Sequence, residues 1–376
     1  MFSKIESQKR SITTLRHIIS SNKITGSYLF YGTEGVGKFT AALEFAKAIN
    51  CSHPSAVSGE VDACDNCASC RKIMRFTHPD VEIIFPTPGF ERTADGGYKK
   101  ERDRIEIQRY LEQLQKTPYQ RYHFSKSTAI RIDTIRDIEQ KICFAPSESR
   151  YKVFIILDSD QMTHQAANAF LKTLEEPPEY AVIILITRRP SALLPTIISR
   201  CQKLQFYKVP THTIQNILMQ QYNVLEEDAR VCARMGNGNV AKSIMLAIRQ
   251  LADEARTLAF QFIESLIQKD FEQISELSNQ FSYNRNAELL MGMFDYLILW
   301  FDDLISFIYA HKQIANLERQ SLIEEFCNIK LLSEKDIYTM INMLMKKQQL
   351  IEGHINFELL FLDTFFQIYR QLYKKA

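Results

Sequence analysis

Two groups of residues have types and spacings suited to chemistry. The first is Gly32-Thr33-Glu34-Gly35-Val36-Gly37-Lys38, which follows the apolar run Tyr28 to Tyr31 and leads into Ala41-Ala42-Leu43-Glu44-Phe45. Strand, glycine loop and helix in that order form a cradle for phosphate. Gly32, Gly35 and Gly37 let backbone N–H groups close around an anion, the helix N-terminus adds positive potential, and Lys38 supplies a mobile cation. The next position should carry a Ser or Thr hydroxyl for Mg²⁺, but it is Phe39; Thr40 is one residue late and points about 100° round the helix. The loop has the form of a cradle for the phosphates of ATP but is poorly equipped to cut them, and the sequence leaves open whether ATP and Mg²⁺ bind. The second group is Cys51, Cys64, Cys67 and Cys70, a C-x12-C-x2-C-x2-C array. Its close steps bring thiolates to one tetrahedral Zn²⁺, among the turn formers Asp62, Asp65, Asn66 and Ser69, with His53 an alternative to Cys51 as ligand.

These groups need a sheet to position them. Val153 to Leu157 is an apolar run ending at Asp158, which reads as a buried parallel strand delivering an acid to its C-terminal edge. A hydrolytic site needs a second carboxylate beside it to orient or deprotonate water, and the chain has Ser159 there. Asp160 falls on the turn that follows. Ala181 to Ile186 is another buried strand, ending at Thr187, and Gln165 to Glu176 is an amphipathic helix stopped by Pro177-Pro178.

The frame is a 376-residue chain with 45% apolar residues, enough for two or three cored domains. A net charge of +2 leaves any nucleic-acid contact to local patches. Of eight cysteines the other four are scattered, and with no signal segment a disulfide framework is disfavoured. No apolar run approaches the ~20 residues that span a bilayer, so a cytoplasmic protein with no membrane partner is expected.

Several stretches together resemble the delta-prime subunits of bacterial DNA polymerase III clamp loaders, relatives of gamma/tau within the AAA+ class. They are Gly32 to Lys38, the cysteine module after the P-loop helix, His78-Pro79-Asp80, Asn168 to Pro178 (Asn-Ala-Phe-Leu-Lys-Thr-Leu-Glu-Glu-Pro-Pro), and Leu194 to Cys201 with its Ser-Arg-Cys end. The resemblance spans roughly residues 1–210. It implies an α/β AAA+ P-loop domain over 1–208 with a zinc module at 51–70, an all-α lid over 209–250 and an all-α collar over 251–376. It also implies a hetero-pentamer with gamma/tau and delta subunits that loads the sliding clamp onto primed DNA. Thr187 takes the place of the polar sensor near the γ-phosphate, with capping of a strand end as the alternative. Arg200 takes that of an arginine finger acting on a neighbour's ATP, with a surface salt bridge as the alternative.

Departures from the ATP-hydrolysing relatives sharpen this. Gamma/tau-like lids carry a Gly-x-x-Arg arginine; here Gly238-Asn239-Val240-Ala241 puts Ala there, with Lys242 one further on. Three of four elements around the nucleotide are degraded, while the trans-acting Arg200 is kept. The expected function is therefore a largely non-catalytic delta-prime-like subunit. The rivals are a gamma/tau-like ATPase and a DNA-repair adaptor with an inactive P-loop. An insert over about 86–126, with loop signals at Pro86-Thr87-Pro88-Gly89 and Asp95-Gly96-Gly97 and a charged helix over Arg102 to Lys116, reads as a solvated elaboration; a nucleic-acid contact through its basic residues and Tyr110, Tyr119, Tyr122 and Phe124 is the alternative. Beyond Pro210 the pattern is helical. Leu289 to Tyr309 is either a buried bundle helix or an oligomer face.

Overall fold

The computed structural model describes residues 2, 5, 7–57, 60–91, 93, 97–116, 124, 126–248, 251–284, 286–309, 314–329, 332–351 and 355–373. Asp95, Gly96, Tyr119 and Tyr122 of the insert lie outside them. The chain divides into two compact units, Met1–Thr213 with Gly238–Ala241, and Ile214–Asn237 with Lys242–Ala376.

The first unit is built on a parallel sheet. Helix α1 (Lys9–Ser20) precedes β1 (Ser27–Gly32), and α2 (Lys38–Asn50) follows the glycine loop. A small module holds the antiparallel pair β2 (Ser55–Val57) and β3 (Glu60–Asp62) and the helix α3 (Ala68–Met74). Then come β4 (Val81–Ile84), α4 (Glu101–Lys116), α5 (Ile132–Ile142), β5 (Lys152–Ile156), α6 (His164–Glu175), β6 (Ala181–Thr187), α7 (Pro195–Arg200) and β7 (Gln202–Phe206). Sheet order is β4-β5-β6-β1-β7 with every pairing parallel. Strands buried on both faces need continuous apolar runs, as Ala181–Ile186 has. Their side chains alternate: Tyr28, Phe30, Val153, Ile155, Val182 and Ile184 join the core on the α1–α2 side, and Leu29, Phe154, Ile156, Ile183 and Leu185 the core under α5, α6 and α7.

The insert helix α4 is not simply solvated. Leu114 is buried, Ile107, Tyr110 and Leu111 pack on the first core, and Tyr110 stacks on Phe85 at 3.8 Å between centroids. Its basic start is matched by acids: Lys99 and Lys100 lie 3.7 and 3.6 Å from Glu91, and Arg104 lies 3.5 Å from Glu101. Ile107, Tyr110, Leu111 and Leu114 fall at i, i+3, i+4 and i+7, the apolar stripe of an amphipathic helix.

The second unit is helical: α8 (Thr211–Tyr222), α9 (Glu226–Gly236), α10 (Val240–Ile248), α11 (Leu251–Gln268), α12 (Phe271–Ser278), α13 (Ala287–Tyr309), α14 (Gln320–Ile329), α15 (Glu334–Ile351) and α16 (Phe357–Tyr373). Helices α8 and α10 begin in the sequence of the first unit and run into the second. The break after α9 falls where expected, with Asn237 and Gly238 at φ 47° and 87°. Of the two readings of Leu289 to Tyr309, the buried one holds: Leu290, Met293, Leu297, Trp300, Phe301 and Leu304 sit inside the unit's own core, so they are not a free oligomer face.

His78-Pro79-Asp80 has a structural task at the start of β4. The buried Asp80 carboxylate accepts from the N–H groups of Ser147, Glu148 and Ser149 at 2.7, 2.8 and 2.9 Å, and His78 Nδ1 accepts from the Asp80 N–H at 3.0 Å. His78 Nε2 lies 3.2 Å from Ser69 Oγ and 2.8 Å from Ser149 Oγ. Burial raises the Asp80 pKa, but the three N–H groups outweigh it and leave it below the usual 3.8; burial of His78 outweighs nearby carboxylates and leaves it below 6.5. In both cases the unfolded chain binds protons more readily, so stability falls as pH drops, from about 6.5 for His78 and again below about 4 for Asp80. Urea unfolding of the first unit at pH 8, 5.5 and 4 should show this ordered loss. Asp80→Ala, which orphans three N–H groups, should cost roughly 2–4 kcal/mol at pH 8.

Candidate nucleotide and metal sites

The three elements expected at a nucleotide meet at the C-terminal edge of the sheet. Tyr31 is in register with Thr187, and Ile156 with Leu185, so Gly32, the turn after β5 and the end of β6 lie side by side. Each element is then occupied with its own contacts. Lys38 is 8% exposed, and its Nζ donates to Gly32 O at 2.8 Å and to Thr33 O. Asn239 lies against Gly35, where an added Cβ would come within 1.7 Å of its Oδ1, and the Val240 N–H donates to Gly35 O at 3.0 Å. The same Cβ would meet the Ala241 methyl at 2.8 Å, while Lys242 is ion-paired with Asp295 at 2.7 Å.

The positions next to these explain the chemistry that is missing. Phe39 packs on the first core with its ring 6.0 Å from that of Phe76, and Thr40 beside it is half-buried. Asp158 takes a left-handed conformation, φ 45° and ψ 46°, which starts a single 3₁₀ turn over Ser159–Gln161. Ser159 is fully buried and donates to Ile186 O at 3.1 Å. Thr187, also fully buried, donates to Asp160 Oδ1 at 2.7 Å and accepts from the Arg189 N–H at 2.9 Å. Arg189 closes the cluster on Asp160 Oδ2 at 2.9 Å. Asp160 is thus the acceptor at the centre of this edge, a role its place on a turn did not suggest. The Mg²⁺-binding hydroxyl and the second carboxylate do not fit here: apolar packing and a strand carbonyl have taken their positions.

Arg200 is elsewhere. Gln202, two residues on, is in register with Tyr28, whereas the glycine loop starts at Gly32, in register with Phe206. Four residues of strand separate them, roughly 13 Å, so Arg200 stands at the opposite edge of the sheet from the loop of its own chain. Its Nη1 donates to Thr196 O at 3.0 Å and its Nη2 to Glu175 Oε2 at 3.1 Å.

The four cysteines do come together. Cys51 ends α2, Cys67 caps α3 and Cys70 lies in that helix's first turn. Their sulfurs all lie within 4.8 Å of one another, with Cys51 and Cys67 at 3.9 Å. A tetrahedron of ~2.3 Å zinc–sulfur bonds has edges of about 3.8 Å, so the cluster fits a metal of that size. Successive N–H groups point at the sulfurs: Cys64 to Cys51 at 3.3 Å, Cys67 to Cys64 at 3.3 Å and Cys70 to Cys67 at 3.4 Å. Burial raises the Cys67 pKa, but the Cys70 and Ser52 N–H groups more than offset it and bring it to about 6; burial pushes Cys70 up. Four neighbouring thiolates repel one another, so a cation at their centre is what would let all four ionise. The module is tied down by Lys47, 1% exposed, whose Nζ reaches Glu44 at 2.8 Å and Asp65 at 2.6 Å, and by Arg16 on Asp62 at 2.9 Å.

The family described as "DNA polymerase III, delta subunit" matches residues 7–210. The Bacillus subtilis DNA polymerase III subunit delta′ is 31% identical over 327 residues, 86% of this chain and 84% of that one. The chain belongs to the DNA polymerase III clamp-loader subunits. Bacillus subtilis subunit tau is 27% identical over 93% of this chain, which spans 58% of tau's length. A DNA polymerase III gamma subunit-related protein from Thermotoga maritima superimposes with a TM-score of 0.45 at 19% identity, covering 96% of this chain and 99% of that one. Among the described residues no helix is long and apolar enough to cross a membrane.

For this clamp-loader subunit, purified without chelator, elemental analysis should find one metal ion per chain. Cys67→Ser should lose it and lower the unfolding midpoint of the first unit. Metal-free protein with four freely titrating thiols would contradict the cluster geometry.

Proposed function

We propose that the chain is a delta-prime subunit that completes a neighbour's ATPase site without running its own. The observation that carries this reading is the separation of its parts. The chain's own loop edge has Phe39 and Ser159 committed to packing and to a strand carbonyl, while Arg200 stands at the far edge, beyond reach of that loop. An arginine so placed acts in trans or not at all. In this role its guanidinium stabilises charge on the γ-phosphate of ATP held by a gamma/tau-type subunit, and the hetero-pentamer with delta loads the sliding clamp onto primed DNA. The first unit is then the AAA+ domain and its metal zinc, held by Cys51, Cys64, Cys67 and Cys70; helices α8 to α10 form the lid, and the bundle from α11 on is the collar.

Two measurements test this. The pure chain should hydrolyse ATP little above background, with or without DNA: loss of a positioned base costs about 10²–10⁴-fold in rate. Robust DNA-stimulated turnover by the pure chain would favour the gamma/tau-like alternative. In a reconstituted complex, Arg200→Ala should leave assembly intact and lower ATPase and clamp loading. Single fingers contribute ~10³–10⁵-fold at one site, and averaging over several sites makes the observed drop smaller. Wild-type rates would make Arg200 structural.

A further inference from the structure

We propose that the free edge of β4 is a docking groove for an extended segment of a partner protein, one that alternates apolar and basic residues and adds to the five-stranded sheet as a further strand. Strand β4 stands at the end of that sheet and pairs with β5 alone. The Asp80 and Ile84 carbonyls accept from the Val153 and Leu157 N–H groups at 2.7 and 2.8 Å. By the alternation of a strand, the main-chain groups of Val81, Ile83, Phe85 and Thr87 therefore face away from β5. Thr87 already uses its pair, exchanging hydrogen bonds of 3.2 and 3.0 Å with Ala129, and the Val81 N–H donates to His78 O at 3.2 Å. Among the described residues, nothing pairs with the outward main-chain groups of Ile83 and Phe85. Unpaired strand edges of this kind are templates for another chain.

The space beside this edge is a groove of about 460 Å³, walled by helices from opposite faces of the sheet. Ile107 and Leu111 of α4 form an apolar wall, and Asp137, Ile138 and Lys141 of α5 form the other. The edge from Val81 to Phe85 runs along the floor for roughly 13 Å. A strand laid there turns successive side chains to one wall and then the other, which asks for apolar residues beside Ile107 and Leu111 and different ones beside α5. The charges say which. Glu82 and Asp137 line the groove with a single ammonium, Lys141, already held on Glu82 at 2.7 Å, so the α5 side carries net negative charge and suits a cation. A phosphate chain is anionic and has no N–H row for the Ile83 carbonyl, so nucleic acid does not fit. A second copy presents the same recessed edge, and wall would meet wall before the strands came within the ~4.8 Å of a pair. A single extended segment has no such walls.

The test uses the full-length chain and a fluorescein-labelled peptide of about seven residues that alternates Val and Lys, long enough to pass the edge at both ends. Fluorescence anisotropy should give a Kd of roughly 10–100 μM, and excess peptide should slow amide exchange about tenfold at Ile83 and Phe85. Replacing Lys by Glu in the peptide, N-methylating its amides, or making Asp137→Lys in the protein should each weaken binding about tenfold or more. Ile83→Pro removes the outward N–H and leaves the β5 ladder intact, as proline on an edge strand does, so it should weaken binding about tenfold with an unchanged unfolding midpoint. Absence of binding at roughly 1 mM peptide overturns the proposal, as does binding that survives Ile83→Pro and Asp137→Lys, or that leaves the two amides unprotected. Self-association of the chain that Ile83→Pro abolishes also overturns it, because the edge then belongs to a second copy. None of these readouts depends on Arg200 or on ATP turnover.

Discussion

Strand β1 is the element against which the first unit is registered. It lies between β6 and β7, and Tyr28, Leu29 and Phe30 are buried on both faces. Its C-terminal end fixes the glycine loop, its pairing with β6 brings Thr187 alongside, and its pairing with β7 sets where α7 must end. Side chains alternate across a strand, so a one-residue slip would move Tyr28 and Phe30 from one core to the other. The distance between the loop and Arg200 is therefore fixed by core packing. Strand register, rather than any property of the arginine, keeps Arg200 away from the glycine loop of its own chain.

The loss of hydrolytic groups has a packing counterpart at each position. The Phe39 ring packs beside Phe76, filling space that the shorter side chain of a Ser or Thr would leave open. A carboxylate at 159 would be buried against the Ile186 carbonyl, an acceptor facing an acceptor; Ser159 supplies a donor there. Burying an unpaired charge costs far more than burying a bonded hydroxyl. Two substitutions that look independent in the sequence are thus each compatible with the same closed edge, in which Asp160, Thr187 and Arg189 satisfy one another.

Much of this was legible in the sequence. Strands β1, β5 and β6, the glycine loop, α6 and the cysteine cluster follow from apolar periodicity, Gly and Pro signals, and C-x2-C spacing, because those features act over a few residues. The contacts that were not legible join distant residues: Lys47 to Asp65, Asp80 to Ser147–Ser149, Asp160 to Thr187, and Arg200 to Glu175. Charged residues on a helix or turn have no local pattern that names their partner. The Leu289–Tyr309 helix was ambiguous because a run apolar on most sides suits either a bundle core or an interface; burial within its own unit decides it.

The glycine loop need not be a relic of phosphate binding. Gly32 has φ 145°, and a Cβ there would lie 2.1 Å from Phe206 O, so β7 could not pair with β1 beside any other residue. Gly35, at φ 67°, gives Asn239 its place, and Gly37, at φ 93°, starts α2 in a conformation that other residues resist. Lys38 donates to the carbonyls of Gly32 and Thr33, so an ammonium that would otherwise face a phosphate holds the loop from within. The three glycines and Lys38 thus have tasks within the fold as well as the geometry of a phosphate cradle. The motif in this chain is evidence for the architecture, and Phe39 and Ser159 carry the information about turnover.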